Sequence, residues 1–313
     1  MQAALLRPAS QITNWNDCPV YSNWENAVVM DPAEPKYQHF LIEQARLQVD
    51  KINADGICID RMDWADYYNG NADDGISFFE GKETRSLVSS WNQTLARISS
   101  ILHQAGKVIF SNPLCRRIDL MQHIDGIYDE YGNFPSSINL CAQMAFLKPI
   151  IAWTRNKEDL LPNPDAYLQR YLYLGSFLTI PFPGNDHTIT PDAGVEQTYL
   201  AYGPLFNAMK GRRWLLVPNI ISVEQQLAKA NIFMVGDKLL IPVIFGNQLS
   251  SVQVSLHLPK ELATGKTAIV KLMQPGDREW STLKTIQMNE NLILQVPLKK
   301  GCALISIGSD GIQ

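Results

Sequence analysis

Between residues 26 and 210 the chain alternates short apolar runs with longer segments of helical period, and that rhythm narrows the fold more than any other feature. A strand, a crossover helix and a further strand in one sheet run parallel, and a parallel sheet is covered by helices on its faces. "NAVVMDP" (26–32) is an apolar run stopped by Pro32. Residues 36–52 carry apolar groups at helical spacing, and "GICID" (56–60) reads as a short strand. Residues 83–105 read as a long amphipathic helix, with Leu87, Trp91, Leu95, Ile98 and Leu102 on one side. "KVIFSNP" (107–113) and "GIYDEYG" (126–132) continue the strand series, followed by a helical segment near 136–147. "PIIAWT" (149–154), a helix over 164–176, "FLTIPFPGNDH" (177–187) and a helix near 195–210 complete it.

After "GRRW" (211–214) the texture changes to short β runs separated by turn signals, including "VGDK" (235–238), which predicts a tight hairpin. The expected fold class is therefore α/β: a (β/α)8 TIM-type barrel over 1–212, followed by an all-β C-terminal sandwich over 213–313. About six strand-helix units are legible, whereas a closed barrel needs eight. Either strands lie unrecognised in the Trp-containing opening (1–25), or the chain lacks the first strands of a barrel. In the second case self-association is expected.

Composition excludes several classes. Apolar residues make up 46% of the chain and charged residues 19%, an ordinary globular balance. A formal net charge of -4 argues against nucleic acid as a partner. No apolar run reaches the ~18–20 residues of a membrane span. "MQAALLRPASQ" lacks the charged and apolar regions of a signal peptide. The five cysteines, Cys18, Cys58, Cys115, Cys141 and Cys302, are widely spaced without a C-x-x-C, and most read as small buried apolar groups. That pattern leans towards a reducing, cytoplasmic setting. No cofactor and no metal site is expected.

The chemistry concentrates in a repeated motif. "DGICID" (55–60) and "DGIYDE" (125–130) share D-G-I and an acid five residues after the first Asp, namely Asp60 and Glu130. Alternation along a strand puts Gly56, Cys58 and Asp60 on one face and Ile57 and Ile59 on the other. The branched residues suit the helix side, which leaves Asp60 inward at the C-terminal end of its strand, where barrels of this kind keep their catalytic groups. Gly126, Tyr128 and Glu130 share a face by the same parity. Asp129 adjoins Glu130, and either acid could act once the strand ends. Two carboxylates at one rim are what glycoside hydrolysis requires: one attacks or activates water, and the other protonates the leaving oxygen. The structural alternative is that these acids pair with Arg61, Arg116 or Arg117.

The neighbouring residues suit a sugar. Asp63 and Trp64 follow Asp60 on the same loop, with Tyr67 and Tyr68 beyond them, the last two better explained individually by core packing. Trp153 ends the "IIAW" strand, Asn112 holds a rim position in "FSNP", and "PFPGNDH" presents Asn185, Asp186 and His187 after a rigid turn. "NGNADDGISFFE" (69–80) has a superficial likeness to a calcium loop, but its glycine is one place late and Asn stands first, so a loop over the site is the expectation.

Taken in order, these motifs resemble the retaining glycoside hydrolases of the α-galactosidase superfamily. In that family a strand reads roughly D-[YF]-[IL]-K-[WF]-D and ends on the nucleophile, which the resemblance places at Asp60, with Cys58 standing where the family has Lys. The family segment ending R-[FY]-D has its counterpart in "RRIDL", with Arg117 and Asp119, although "SNPLC" replaces the expected glycines. The resemblance implies an acid/base at Asp129 or Glu130, a carbohydrate substrate and a C-terminal β-sandwich. Two other readings stand beside it. One is a non-catalytic carbohydrate-binding protein or inactive truncated barrel. The other is a metal-assisted lyase or an aldolase, which is disfavoured because no His/Asp/Glu cluster has ligand spacing and no strand-end Lys is available.

Overall fold

The computed structural model describes residues 28–60, 67–112, 118–129, 145–179, 193–257, 269–288 and 291–308. The chain divides into two compact units, 1–130 and 131–313.

In the first unit, Pro35 opens helix α1 (Pro35–Ile52), because its missing N–H costs nothing in a first turn. Gln38, Ile42, Ala45 and Val49 form the buried stripe, and Asn53 ends the helix in the left-handed region at φ 50°. Strand β1 (Gly56–Asp60) follows, paired in parallel with β5 (Val108–Asn112), which in turn pairs in parallel with β6 (Gly126–Asp129). Helix α2 (Leu87–Gln104) makes the β1–β5 crossover and buries Leu87, Leu95, Ile98 and Leu102. A buried polar relay ties its middle to the segment ahead of α1: Gln38 Nε2 donates to Thr94 Oγ1 (2.9 Å), which donates to the Pro32 carbonyl (2.7 Å). In "NAVVMDP", Val28 and Met30 make only single-residue bridges rather than a strand.

The helix expected over 83–105 begins only at Leu87. Residues Lys82–Ser86 instead form β4, which pairs with β2 (Tyr68–Asn69) and β3 (Ser77–Phe79) in a small antiparallel sheet. Two local signals explain this. Glu80 and Gly81 both take positive φ (49° and 81°), the geometry of a tight hairpin that joins Phe79 to Lys82. Ser86 then caps α2, its hydroxyl accepting from the Ser89 N–H (3.2 Å), so the helix cannot start earlier.

In the second unit, β7 (Ile150–Ala152) and β8 (Phe177–Leu178) pair in parallel across α3 (Pro164–Leu174), which Asn163 caps and Gly175 ends at φ 64°. Helix α4 spans Ala193–Ala208. From β9 (Arg213–Trp214) onward every pairing among the described residues is antiparallel. One sheet runs β10 (Ile221–Val223), β14 (Ser251–His257), β18 (Asn291–Pro297), β17 (Thr285–Met288). The other runs β16 (Ser281–Thr282), β15 (Ile269–Met273), β19 (Ala303–Gly308), β13 (Lys238–Ile244), β12 (Phe233–Val235), β9, with β11 (Lys229–Ala230) beside β13. The "VGDK" turn joins β12 to β13, with Val235 opposite Lys238. Val252, Val254, Leu256, Leu292, Leu294 and Val296 of the first sheet share one core with Leu239, Ile241, Val243, Leu272, Ile305 and Ile307 of the second. Each strand presents alternate residues to that core, the pattern of two stacked sheets.

Candidate active site

The two D-G-I motifs build the sheet in the same way. A Cβ on Gly56 would lie 2.1 Å from the Val108 carbonyl oxygen, and one on Gly126 would lie 2.3 Å from the Phe110 ring. Both glycines therefore let β5 approach closely. Asp125 serves the same strand: its Oδ2 accepts from the Ile109 N–H (2.8 Å) and lies 2.9 Å from His103 Nε2.

Asp60 and Asp129 lie at the other ends of these strands. Register pairs Cys58 with Phe110 and Asp60 with Asn112, and Phe110 with Gly126. Continuing the last pairing by two residues sets Tyr128 beside Asn112, so Asp60, Asn112 and Tyr128 form one row at the C-terminal ends of three parallel strands. Asp60 is exposed, and Ile57 and Ile59 are the less exposed side of β1, as alternation requires. Of the five cysteines, most of which were expected to be buried, Cys58 is exposed on the Asp60 face, while Cys302 is buried, and burial pushes its thiol well up. Asn112 is 4% exposed, and its side-chain oxygen is buried with no hydrogen-bond partner. Asp129 ends β6 fully buried, and parity puts it on the face of Ile127, opposite the Asp60 row.

In the second unit Trp153 follows β7 and is 39% exposed. The next residue fixes that loop: the Thr154 N–H donates to Thr179 Oγ1 (3.1 Å), while Tyr199 OH donates to the Thr179 carbonyl (2.7 Å). Glu130, Asp63, Trp64, Arg117, Asn185, Asp186 and His187 lie outside the described residues, as do Arg61 and Arg116. Tyr67 packs against Val29 and Leu87, while Tyr68 stacks on Phe79 at 4.5 Å.

A cluster that sequence reasoning passed over lies at the end of "VVMD". Asp31 is fully buried and accepts from Arg85 Nε (2.9 Å), Arg85 NH2 (2.6 Å), Asn69 Nδ2 (2.7 Å) and the Ala33 N–H (2.9 Å). Its signal was an apolar run ending on an acid before Pro32; its partners left none. In the loop over 69–80, Asp73 and Asp74 are spent on nearby backbone and hydroxyl groups. Asp73 accepts from the Gly75 N–H, and Asp74 accepts from the N–H groups of Ile76, Ser77 and Ser86 and from the Ser77 hydroxyl.

No family model matches the sequence, and no curated protein matches it. Solved structures do. The α-L-fucosidase isoenzyme 2 from Paenibacillus thiaminolyticus superposes with a TM-score of 0.61 at 10% identity, over 99% of this chain and 86% of that one. The glycoside hydrolase family 30 subfamily 8 xylanase Xyn30A from Clostridium acetobutylicum gives 0.48 at 11% identity, over 94% and 76%. The Thermotoga maritima α-fucosidase gives 0.46 at 12%, over 95% and 63%. The first of these carries the likeness: the chain shares the fold of that α-L-fucosidase, with a parallel α/β region followed by antiparallel sheets. Among the described residues no helix is long and apolar enough to cross a membrane.

Proposed function

We propose that the chain is a glycoside hydrolase acting on an oligo- or polysaccharide by a two-carboxylate, retaining mechanism. The observation that carries the reading is Asp60, exposed at the C-terminal end of a parallel strand beside Asn112, in a chain with a glycosidase fold. The fold likeness supports reading the parallel region as a (β/α)8-type barrel over 1–212, with the sandwich over 213–313. The order of the motifs supports placement near the α-galactosidase superfamily.

Asp60 attacks the anomeric carbon while the glycosidic C–O bond breaks, and the acid/base delivers its proton to the leaving oxygen. The same group, now a carboxylate, takes a proton from the water that hydrolyses the glycosyl-Asp60 ester. Glu130 is favoured over Asp129 for this role, since Asp129 is fully buried on the face opposite the Asp60 row. Asn112, with its buried acceptor lacking a partner, suits a sugar hydroxyl. Asp63, Trp64, Arg117, Trp153, Asn185, Asp186 and His187 complete the proposed substrate contacts.

The test is turnover of a panel of aryl glycosides and polysaccharides by the wild type and by Asp60→Asn. The substitution is expected to lower kcat by about 10³-fold or more with the unfolding midpoint unchanged. Wild-type turnover in Asp60→Asn would overturn the assignment. Saturable sugar binding without hydrolysis would favour a carbohydrate-binding protein instead.

A further inference from the structure

Arg212 is the largest fully buried side chain among the described residues. Its Nε donates to the Gly175 carbonyl, and its NH1 donates to the carbonyls of Lys148 (3.0 Å) and Leu147 (3.5 Å). These three acceptors are neutral, and NH2 is buried with no partner. No described carboxylate forms an ion pair with the guanidinium, and burial alone pushes its pKa down to about 10. A buried charge without a countercharge is among the costliest features a fold can carry. Three carbonyl oxygens and the Phe177 ring, whose centroid lies 5.9 Å from the guanidinium carbon, face the cation, and NH2 is left to take an anionic oxygen.

Arg212 also lines a cavity of about 340 Å³, within the range of small-ligand sites. Its other walls are Leu147, Pro149, Ile151 and Phe177, with Lys210 and Gly211 completing it. Ile151 and Phe177 are register partners on β7 and β8, so their side chains share one face of the pair. Pro149 and Gly175 stand just ahead of these strands, at the ends opposite to Trp153. The cavity is thus separate from the proposed sugar contacts of this unit.

We propose that this cavity binds a small monocarboxylate with an apolar body, such as an aryl or branched-chain acid. The apolar walls take the body of the ligand, and the Arg212 charge, which no described carboxylate balances, draws the carboxylate inward, a shift of the side chain bringing the buried NH2 to meet it. Lys210 adds a second positive charge. A free phosphate or sulfate fits poorly, because the walls offer few donors for a strongly hydrated dianion.

Titration calorimetry of the full chain with phenylacetate, its neutral isostere phenylacetamide, and sulfate tests this. Phenylacetate is expected to bind saturably at one site, about tenfold or more tighter than phenylacetamide, as loss of a charge-assisted bond implies. Arg212→Met should reduce phenylacetate to the level of the amide. Leu147→Trp, at a side chain 51% exposed, should block the cavity with Arg212 left in place, and decides the matter if Arg212→Met does not fold. Absence of saturable binding, equal affinity for the amide, tighter binding of sulfate, or affinity untouched by Leu147→Trp would overturn the proposal. None of these readouts depends on glycoside turnover.

Discussion

Gly56 and Gly126 show how a repeated motif divides its labour. Each glycine sits where β5 comes too close for a Cβ, and Asp125 ties its strand to the Ile109 N–H, so most of D-G-I is architecture. The two glycines differ in what they face, which gives a graded expectation. Gly126→Ala pushes on the Phe110 ring, which can swing, and should destabilise by about 1–3 kcal/mol, the usual range for overpacking. Gly56→Ala meets the Val108 backbone oxygen, which cannot move aside, and should cost more. Urea unfolding of the two full-length variants checks the order, and an equal or smaller loss at Gly56 contradicts it. The D-G-I repeat was legible in the sequence; the close approaches that demand its glycines were not, because they come from β5, which lies between the two copies.

The β2–β4–β3 sheet is held from below by charge and leaves apolar groups at its tip. Arg85 of β4 pairs with the buried Asp31, and breaking such a pair typically costs about 3–5 kcal/mol because one charge stays buried alone. Ile76 and Phe78 meanwhile stay 74% and 67% exposed. Asp74 fastens the loop. Partial burial pushes its carboxyl up, but the hydrogen bonds from Ser77, Ser86 and Ser89 outweigh that and hold it well below the usual carboxylate range. A carboxyl depressed in the folded state stabilises fully above its unfolded pKa, and that contribution is lost as pH falls towards the folded value. The stability difference between wild type and Asp74→Asn should therefore be constant above about pH 4 and shrink below it. Urea midpoints of both proteins from about pH 6 to about pH 2.5 measure this, and a difference that stays constant to the lowest pH rules it out. The same element explains the shortened helix. Residues 83–86 were continuous with a helical pattern in sequence, but pairing across the Glu80–Gly81 turn claimed them for a strand.

Across the second unit the two antiparallel sheets share a core that draws on strands from Ile221 to Ile307. Ile305 lies in β19, between β13 and β15, and is fully buried. Ile305→Ala should cost about 2–5 kcal/mol, the range for emptying a well-packed core site. Denaturant unfolding followed by far-ultraviolet circular dichroism on the full chain measures it, and a loss under about 1 kcal/mol would mean that the sheets repack freely around the gap. The fold likeness to the fucosidase takes in this region as well as the parallel one, since it covers 99% of the chain.

The amino-acid sequence by itself determined the period of each segment, and with it the parallel α/β region, the antiparallel run from residue 213 and the place of Asp60 at the C-terminal end of its strand. Those features depend on the order of apolar and polar groups over a few neighbouring residues, which the chain carries whatever its surroundings. Only the tertiary structure decided that Asp31 meets Arg85, 54 residues away, and that Arg212 is buried against carbonyls 37 and 64 residues before it. It likewise left Cys58 exposed and Asp129 fully buried. Such contacts join residues far apart in the chain, and they follow from packing and the exclusion of water, for which no local pattern codes.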